Sequence, residues 1–115
     1  MCATPKTLSV VVPVHNAQRN LSQRIGRLLE VLPDLAAKFE VLIVDDGSTD
    51  QTEEVALELS YQYPQVSVTR HNEQLGIEAS ARTGAAHTTG DIVIVHAGQE
   101  PVNASQLRRI WQTPF

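Results

Sequence analysis

Residues Val41–Thr52 read VLIVDDGSTDQT. Four apolar residues, three of them β-branched, stop abruptly at two carboxylates, a glycine and a run of helix-starting residues. The pattern predicts a buried strand over Glu40–Val44, a turn at Gly47 and a helix opened by Asp50 with Glu53. Three further strand-sized runs flank this unit: Leu8–Val14 (LSVVVPV), Gln65–Thr69 (QVSVT) and Asp91–Val95 (DIVIV). Helical spacing fills the intervals. Leu21, Ile25, Leu28, Leu29 and Leu32 mark one apolar face, with Asn20 and Gln23 as a cap pair and Pro33 as the expected break. A short turn is expected at Leu35–Phe39. Ala56, Leu59, Ser60 and Tyr63 form the inward stripe of the next helix. The third, about Ile77 to Thr88, is built from small residues that allow close approach, and a fourth follows Asn103 with Leu107, Ile110 and Trp111.

Strand–helix alternation predicts a parallel α/β sheet with right-handed crossovers. The first, second and fourth runs are almost continuously apolar, as strands covered on both faces are. The third alternates Val66 and Val68 with Ser67 and Thr69, which suits an edge. The order 3-2-1-4, Rossmann-like with helices on both faces, satisfies all of this. Ligands of such sheets bind at the carboxyl ends of the strands, where the order reverses. The residues delivered there are Pro13-Val14-His15-Asn16, Asp45-Asp46-Gly47-Ser48, Arg70-His71-Asn72 and His96-Ala97-Gly98.

The 115 residues fit one domain, 1–115, and are 42% hydrophobic. A net charge of −4 argues against a nucleic-acid partner, which needs a basic face, but leaves small anionic ligands open. One cysteine, Cys2, excludes a disulfide framework and a cysteine zinc site. No run is long enough to span a membrane and the N-terminus lacks a signal-peptide pattern, so the expected compartment is the cytoplasm. There is no G-x-x-x-x-G-K-[ST], and no G-x-G-x-x-G follows the first strand, which excludes P-loop and ordinary dinucleotide-binding readings.

From the residues alone, Asp45-Asp46 reads either as an acceptor pair for a base, a ribose hydroxyl or a metal's water, or as a solvated pair in a capped turn. His15 reads as a stacking ring or a loop residue, and Arg82 as a phosphate contact or a surface cation. His71, His87 and His96 show no metal-ligand spacing to one another.

Taken together, LSVVVPVHN, VLIVDDGSTDQT, N-x-x-x-G-x-x-x-x-x-R-T-G (Asn72 to Gly84) and the T-T-G-D before the last strand resemble a family 2 glycosyltransferase of the GT-A fold. Arg82-Thr83-Gly84 and Gly98-Gln99-Glu100-Pro101 resemble its dolichol-phosphate mannosyltransferase-like branch. The resemblance implies a UDP- or GDP-sugar donor, a polyprenyl-phosphate or glycan acceptor, and a place at the inner face of a membrane. It implies that Pro13 and His15 line the base, where the family usually has Tyr at the second position. By the same resemblance, Asn16 and Gly47 belong to the nucleotide-binding loops, Asp46 with Asp45 bonds the base or ribose, and Arg82 lies near the donor.

Two departures stand out. The family's Asp-x-Asp, which binds the Mg²⁺ or Mn²⁺ that holds the diphosphate, falls on Ala97-Gly98-Gln99 or, with a two-residue deletion, on Val95-His96-Ala97. Neither frame contains Asp, so His96, Gln99 and Glu100 are the nearest metal candidates, and Arg70 and Arg82 are the only cations near the strand ends, a thin basis for metal-free transfer. The family's domain is also about twice as long, and its second half carries the acceptor site and the catalytic base. Two alternatives follow: a donor-binding half of an enzyme, or a non-catalytic relative with a degenerate metal site. A half-length domain is also expected to self-associate through apolar surface near the fourth strand.

Overall fold

A computed structural model of the chain describes residues 7–96. Its elements run β1 (Thr7–Val14), α1 (Leu21–Leu35), β2 (Lys38–Asp46), α2 (Thr52–Gln62), β3 (Val66–His71), α3 (Ile77–Ala86) and β4 (Ile92–Val95). The strands form one parallel sheet in the order β3-β2-β1-β4. Its register aligns Val14 with Asp45 and Asp46 with His71, so the carboxyl ends of β1, β2 and β3 make a common rim.

Alternation along the strands divides the core. Val10, Val12, Val41, Ile43, Ile92 and Ile94 pack with Leu21, Ile25, Leu28 and Leu32 of α1 and with Ala56 and Leu59 of α2. Val11, Leu42 and Val44 face the other way, towards α3. Helices therefore cover both faces. The small-residue character of α3 has a direct use: a Cβ on Gly84 would lie 2.3 Å from Val11 Cγ1, so only glycine lets the helix sit this close to β1. That close packing is what the run of small residues predicts.

Several local expectations are corrected. Pro33 lies inside α1 rather than ending it. A proline costs a helix interior about 3 kcal/mol, whereas each fully buried Leu contributes about 1.5–3 kcal/mol. Leu28 and Leu32 are fully buried and Leu35 packs on the core, so the apolar face carries the helix past the proline. No separate turn forms at Leu35–Phe39, since α1 ends at Leu35 and Phe39 already lies in β2. Asn20 occupies the N-cap position of α1 but makes no side-chain cap bond, and the Ala17 carbonyl accepts from the N–H groups of Asn20 and Leu21 instead. Helix α2 begins at Thr52, with the Asp50 carboxylate accepting from the Thr52 N–H at 2.9 Å. Helix α3 ends at Ala86, two residues short of Thr88.

Among the described residues α3 packs over β1 and β2 and not over β4, whose Val93 and Val95 are each 40% exposed. The helix expected after Asn103 lies outside the described residues. Among the described residues no helix is long and apolar enough to cross a membrane.

Candidate functional site

The carboxyl rim is held by side chains that cross between loops. Asn16 adopts a left-handed backbone (φ +52) just past β1. Its N–H donates to Ser48 Oγ at 2.8 Å and its Oδ1 accepts from the Thr49 N–H at 2.9 Å. The Ala17 N–H donates to Thr52 Oγ1 at 2.8 Å, and that hydroxyl in turn donates to the Asp50 carboxylate. Burial opposes ionisation of Asp50, but the bonds from Thr52 and the Gln18 N–H outweigh it and hold the carboxyl below its ordinary pKa. These contacts stitch the β1–α1 loop to the β2–α2 loop.

The acidic pair is not a solvated turn. Asp45 is fully buried, with Oδ1 accepting from the Ser48 N–H at 3.0 Å and Oδ2 facing Arg70 Nη1 at 3.3 Å. Asp46 is 5% exposed. Its Oδ1 accepts from the Leu75 N–H at 2.8 Å and from His71 Nδ1 at 2.8 Å, and its Oδ2 accepts from the Gly76 N–H at 2.9 Å. Burial would raise the Asp46 pKa, but the bonds from His71, Leu75 and Gly76 outweigh it and hold the carboxyl below the usual range. A carboxylate has about four acceptor positions, so three donors leave Asp46 one more. His71 continues the chain to α3, its Nε2 lying 2.8 Å from Thr83 Oγ1.

Gly47 is required twice over. Its φ is +68, and a Cβ there would lie 2.5 Å from the Glu73 carbonyl carbon and 2.6 Å from the Gln74 nitrogen. The β2–α2 turn thus presses directly on the loop that Asp46 anchors.

Of the residues singled out from sequence, Pro13, His15, Asn16, Asp45, Asp46 and Gly47 come together here. Pro13 is buried in β1 opposite Val44. His15 Nδ1–H donates to the Asp46 carbonyl at 2.8 Å, which fixes the tautomer and leaves Nε2 an acceptor towards Asn16 Nδ2. Arg82 is not brought to this cluster. It stands exposed on α3 without an ion pair among the described residues, while its neighbours Thr83 and Gly84 turn inward to His71 and Val11. Arg70 is committed elsewhere, bridging Asp45, Glu53 and the Ser48 carbonyl. Arg70 is thus paired with carboxylates, and Arg82, unpaired among the described residues, makes no contact with this cluster.

A third arginine, Arg24, is buried on α1. It is 7% exposed, and its Nη2 reaches the His96 carbonyl at 3.4 Å, at the carboxyl end of β4. Its Nε and the buried His96 Nδ1 both lack a hydrogen-bond partner. Arg24 was not among the residues singled out from sequence, which came mainly from the strand-end loops. The signal was present, since position 24 falls on the apolar stripe between Leu21 and Leu28, where a charge is out of place.

Among the described residues no three His, Cys, Asp or Glu side chains gather as a metal site. His96 lies beside the Arg24 guanidinium, which repels a divalent cation and suits an anion. Gln99 and Glu100 lie outside the described residues. A hollow at the opposite end of the strands, lined by Ser9, Glu40 and Thr89 among others, carries little free chemistry. Its Glu40 carboxylate is already taken up by Ser9 Oγ at 2.9 Å and the Thr89 N–H at 3.0 Å.

Residues 9–97 match the model of glycosyl transferase family 2. The chain belongs to that family. It is 35% identical over 88 residues to a dolichol-phosphate mannosyltransferase of Pyrococcus furiosus, covering 76% of this chain and 24% of the relative. The mannosyltransferase PcManGT from Pyrobaculum calidifontis, solved in complex with GDP-Man and Mn²⁺, superposes with a TM-score of 0.72 at 25% identity, over 83% of this chain and 28% of that one. TarS of S. aureus, solved in complex with UDP-GlcNAc, has the same fold, with a TM-score of 0.72 at 22% identity over 90% of this chain and 30% of that one. The architecture is thus that of the α/β part of a GT-A family 2 domain, and the chain spans about a quarter of the length of its curated mannosyltransferase relative.

Proposed function

We propose that this chain binds a nucleotide-diphospho-sugar, UDP- or GDP-linked, at the carboxyl ends of β1, β2 and β4, and forms the donor-binding part of a glycosyltransferase. The observation that carries this reading is the stitched pair of loops, 13–18 and 45–52, converging beside the point where strand order reverses. The bonds at Asn16, Asp50 and Thr52 fix both loops in advance, so a ligand need not order them on binding. Pro13 and the anchored ring of His15 flank the base, and Asp46, held beside the buried Asp45, offers its remaining acceptor position to a base N–H or a ribose hydroxyl. Gly47 brings the loop backbone close, and the exposed Arg82 offers a charge to the phosphates from α3. Kinship with enzymes named for dolichol phosphate favours a polyprenyl-phosphate acceptor over a soluble glycan.

The second reading, a non-catalytic binding domain with a degenerate Asp-x-Asp, draws on positions 95–99, Val-His-Ala-Gly-Gln, which contain no carboxylate. Under the first reading this chain binds a sugar-nucleotide donor; under the second it binds a nucleotide or only a protein partner. We assign residues 1–115 to one domain, in the cytoplasm at the inner face of a membrane. It self-associates through the exposed Val93 and Val95 edge, which sedimentation showing only monomer at high concentration contradicts. Calorimetric titration with UDP and GDP, against ADP and CMP as controls, tests the donor assignment. Binding of UDP or GDP at micromolar to millimolar concentration is expected, and equal or absent binding across the four nucleotides contradicts it.

A further inference from the structure

Unpartnered buried polar side-chain atoms are rare in folded proteins, and each calls for an explanation. Among the described residues there are three: Asn20 Oδ1, Arg24 Nε and His96 Nδ1. They are not scattered. Asn20 lies one turn before Arg24 along α1, and Arg24 Nη2 reaches the His96 carbonyl at 3.4 Å. Two come from the start of α1 and the third from the end of β4, the two elements that bound the crevice where strand order reverses.

The chemistry of the group is that of an anion site. A guanidinium stays protonated at any ordinary pH, and burying it without a carboxylate is costly. No ion pair among the described residues offsets it. Burial lowers the Arg24 pKa, and burial followed by the Arg24 charge lowers that of His96. Helix α1 has no acidic residue in its first turn, so its positive end adds to the same field. Asn20 Oδ1 contributes an acceptor, which matches a ligand with hydroxyls beside its anionic oxygens.

We infer that Arg24, with His96 beside it, is the subsite for the diphosphate of the nucleotide sugar, supplying the positive charge that the family's Asp-x-Asp would otherwise supply through a bound cation. The inference rests on the donor-binding reading and deepens it. The fork of the guanidinium gives two parallel N–H donors to one phosphate, and the neutral His96 ring gives a third through Nδ1–H. The reason for a buried, unpaired arginine is then functional: stability is given up so that the site attracts the leaving group's charge.

The test uses the whole chain in EDTA, with inorganic pyrophosphate, UDP, GDP and the corresponding nucleosides as probes and citrate as a general-anion control. Wild type is expected to melt at higher temperature with pyrophosphate and to bind the nucleoside diphosphates at least tenfold more tightly than the nucleosides. Arg24→Leu is expected to lose that tenfold preference and the pyrophosphate shift, while melting at or above the wild-type temperature. Arg24→Lys, which keeps the charge and loses the fork, falls between. Unchanged diphosphate affinity in Arg24→Leu, with nucleotide still bound, overturns the subsite alone. Wild type that binds neither UDP nor GDP overturns the donor reading and this inference with it. Equal protection by citrate and pyrophosphate overturns the diphosphate assignment, and an Arg24→Leu protein that melts below wild type overturns the view that Arg24 is an unpaired cost to the fold.

Discussion

The two sides of the sheet's carboxyl rim use their polar atoms differently. On the β1–β2–β3 side, the carboxylates of Asp45, Asp46 and Asp50 are filled by named donors, and the loops they hold are locked against one another. On the α1–β4 side, Asn20, Arg24 and His96 each hold a buried polar atom with no hydrogen-bond partner among the described residues. The first side is almost fully paired without a ligand, with one acceptor position left on Asp46, and the second is not. A preformed wall facing an unsatisfied one is the arrangement expected where one edge of a ligand is positioned and its charge is taken up by the other.

Changes to the completed side should harm the fold most. Gly47→Ala combines a left-handed backbone with a collision against the 73–74 main chain, and should cost about 3 kcal/mol or more in urea unfolding. Asp46→Ala leaves two amides and His71 without their acceptor, a loss of about 2–3 kcal/mol. The same carboxylate gives a pH signature. Its folded pKa lies below the ordinary value, so its stabilisation is present above about pH 4 and is lost as the pH falls through the folded value. The acid limb of a stability–pH curve should therefore flatten in Asp46→Asn.

Changes to the unsatisfied side should go the opposite way. Arg24→Leu should raise unfolding stability by about 1 kcal/mol, since an apolar side chain suits that face of α1 better than an unpaired charge. The smallest effect concerns metal. With no carboxylate at positions 95–99, adding Mn²⁺ should improve nucleotide affinity by much less than tenfold, or about 1.4 kcal/mol. A tenfold gain would mean that His96, Gln99 and Glu100 form a working cation site, and the contrast between the two sides would fail.

Sequence patterning carried the sheet because burial is periodic. The continuous runs of β1 and β2 and the alternation at Val66–Thr69 placed every strand correctly in the order. It did not anticipate that, among the described residues, Val93 and Val95 of β4 stay 40% exposed, because coverage depends on where α3 lies and not on the strand itself. The loop residues of the site were legible for a similar reason, since strand ends deliver them in order. The partners of Asp46 were not, because His71, Leu75 and Gly76 lie 25 to 30 positions away and meet it only through the β2–β3 register. Arg24 was hidden by distance as well: its contact with His96 spans 72 positions and closes only when β4 pairs with β1.

The central claim is that one ligand lies along this rim, touching both of its sides. Amide chemical-shift mapping during a titration with UDP or GDP in EDTA tests it most directly. The account predicts shifts that saturate together at His15, Asn16, Asp46 and Gly47 on one side and at Arg24 and His96 on the other, with Ser9, Glu40 and Thr89 at the far end of the strands unmoved. Shifts confined to that far end, or to the first side with Arg24 and His96 silent, would contradict it.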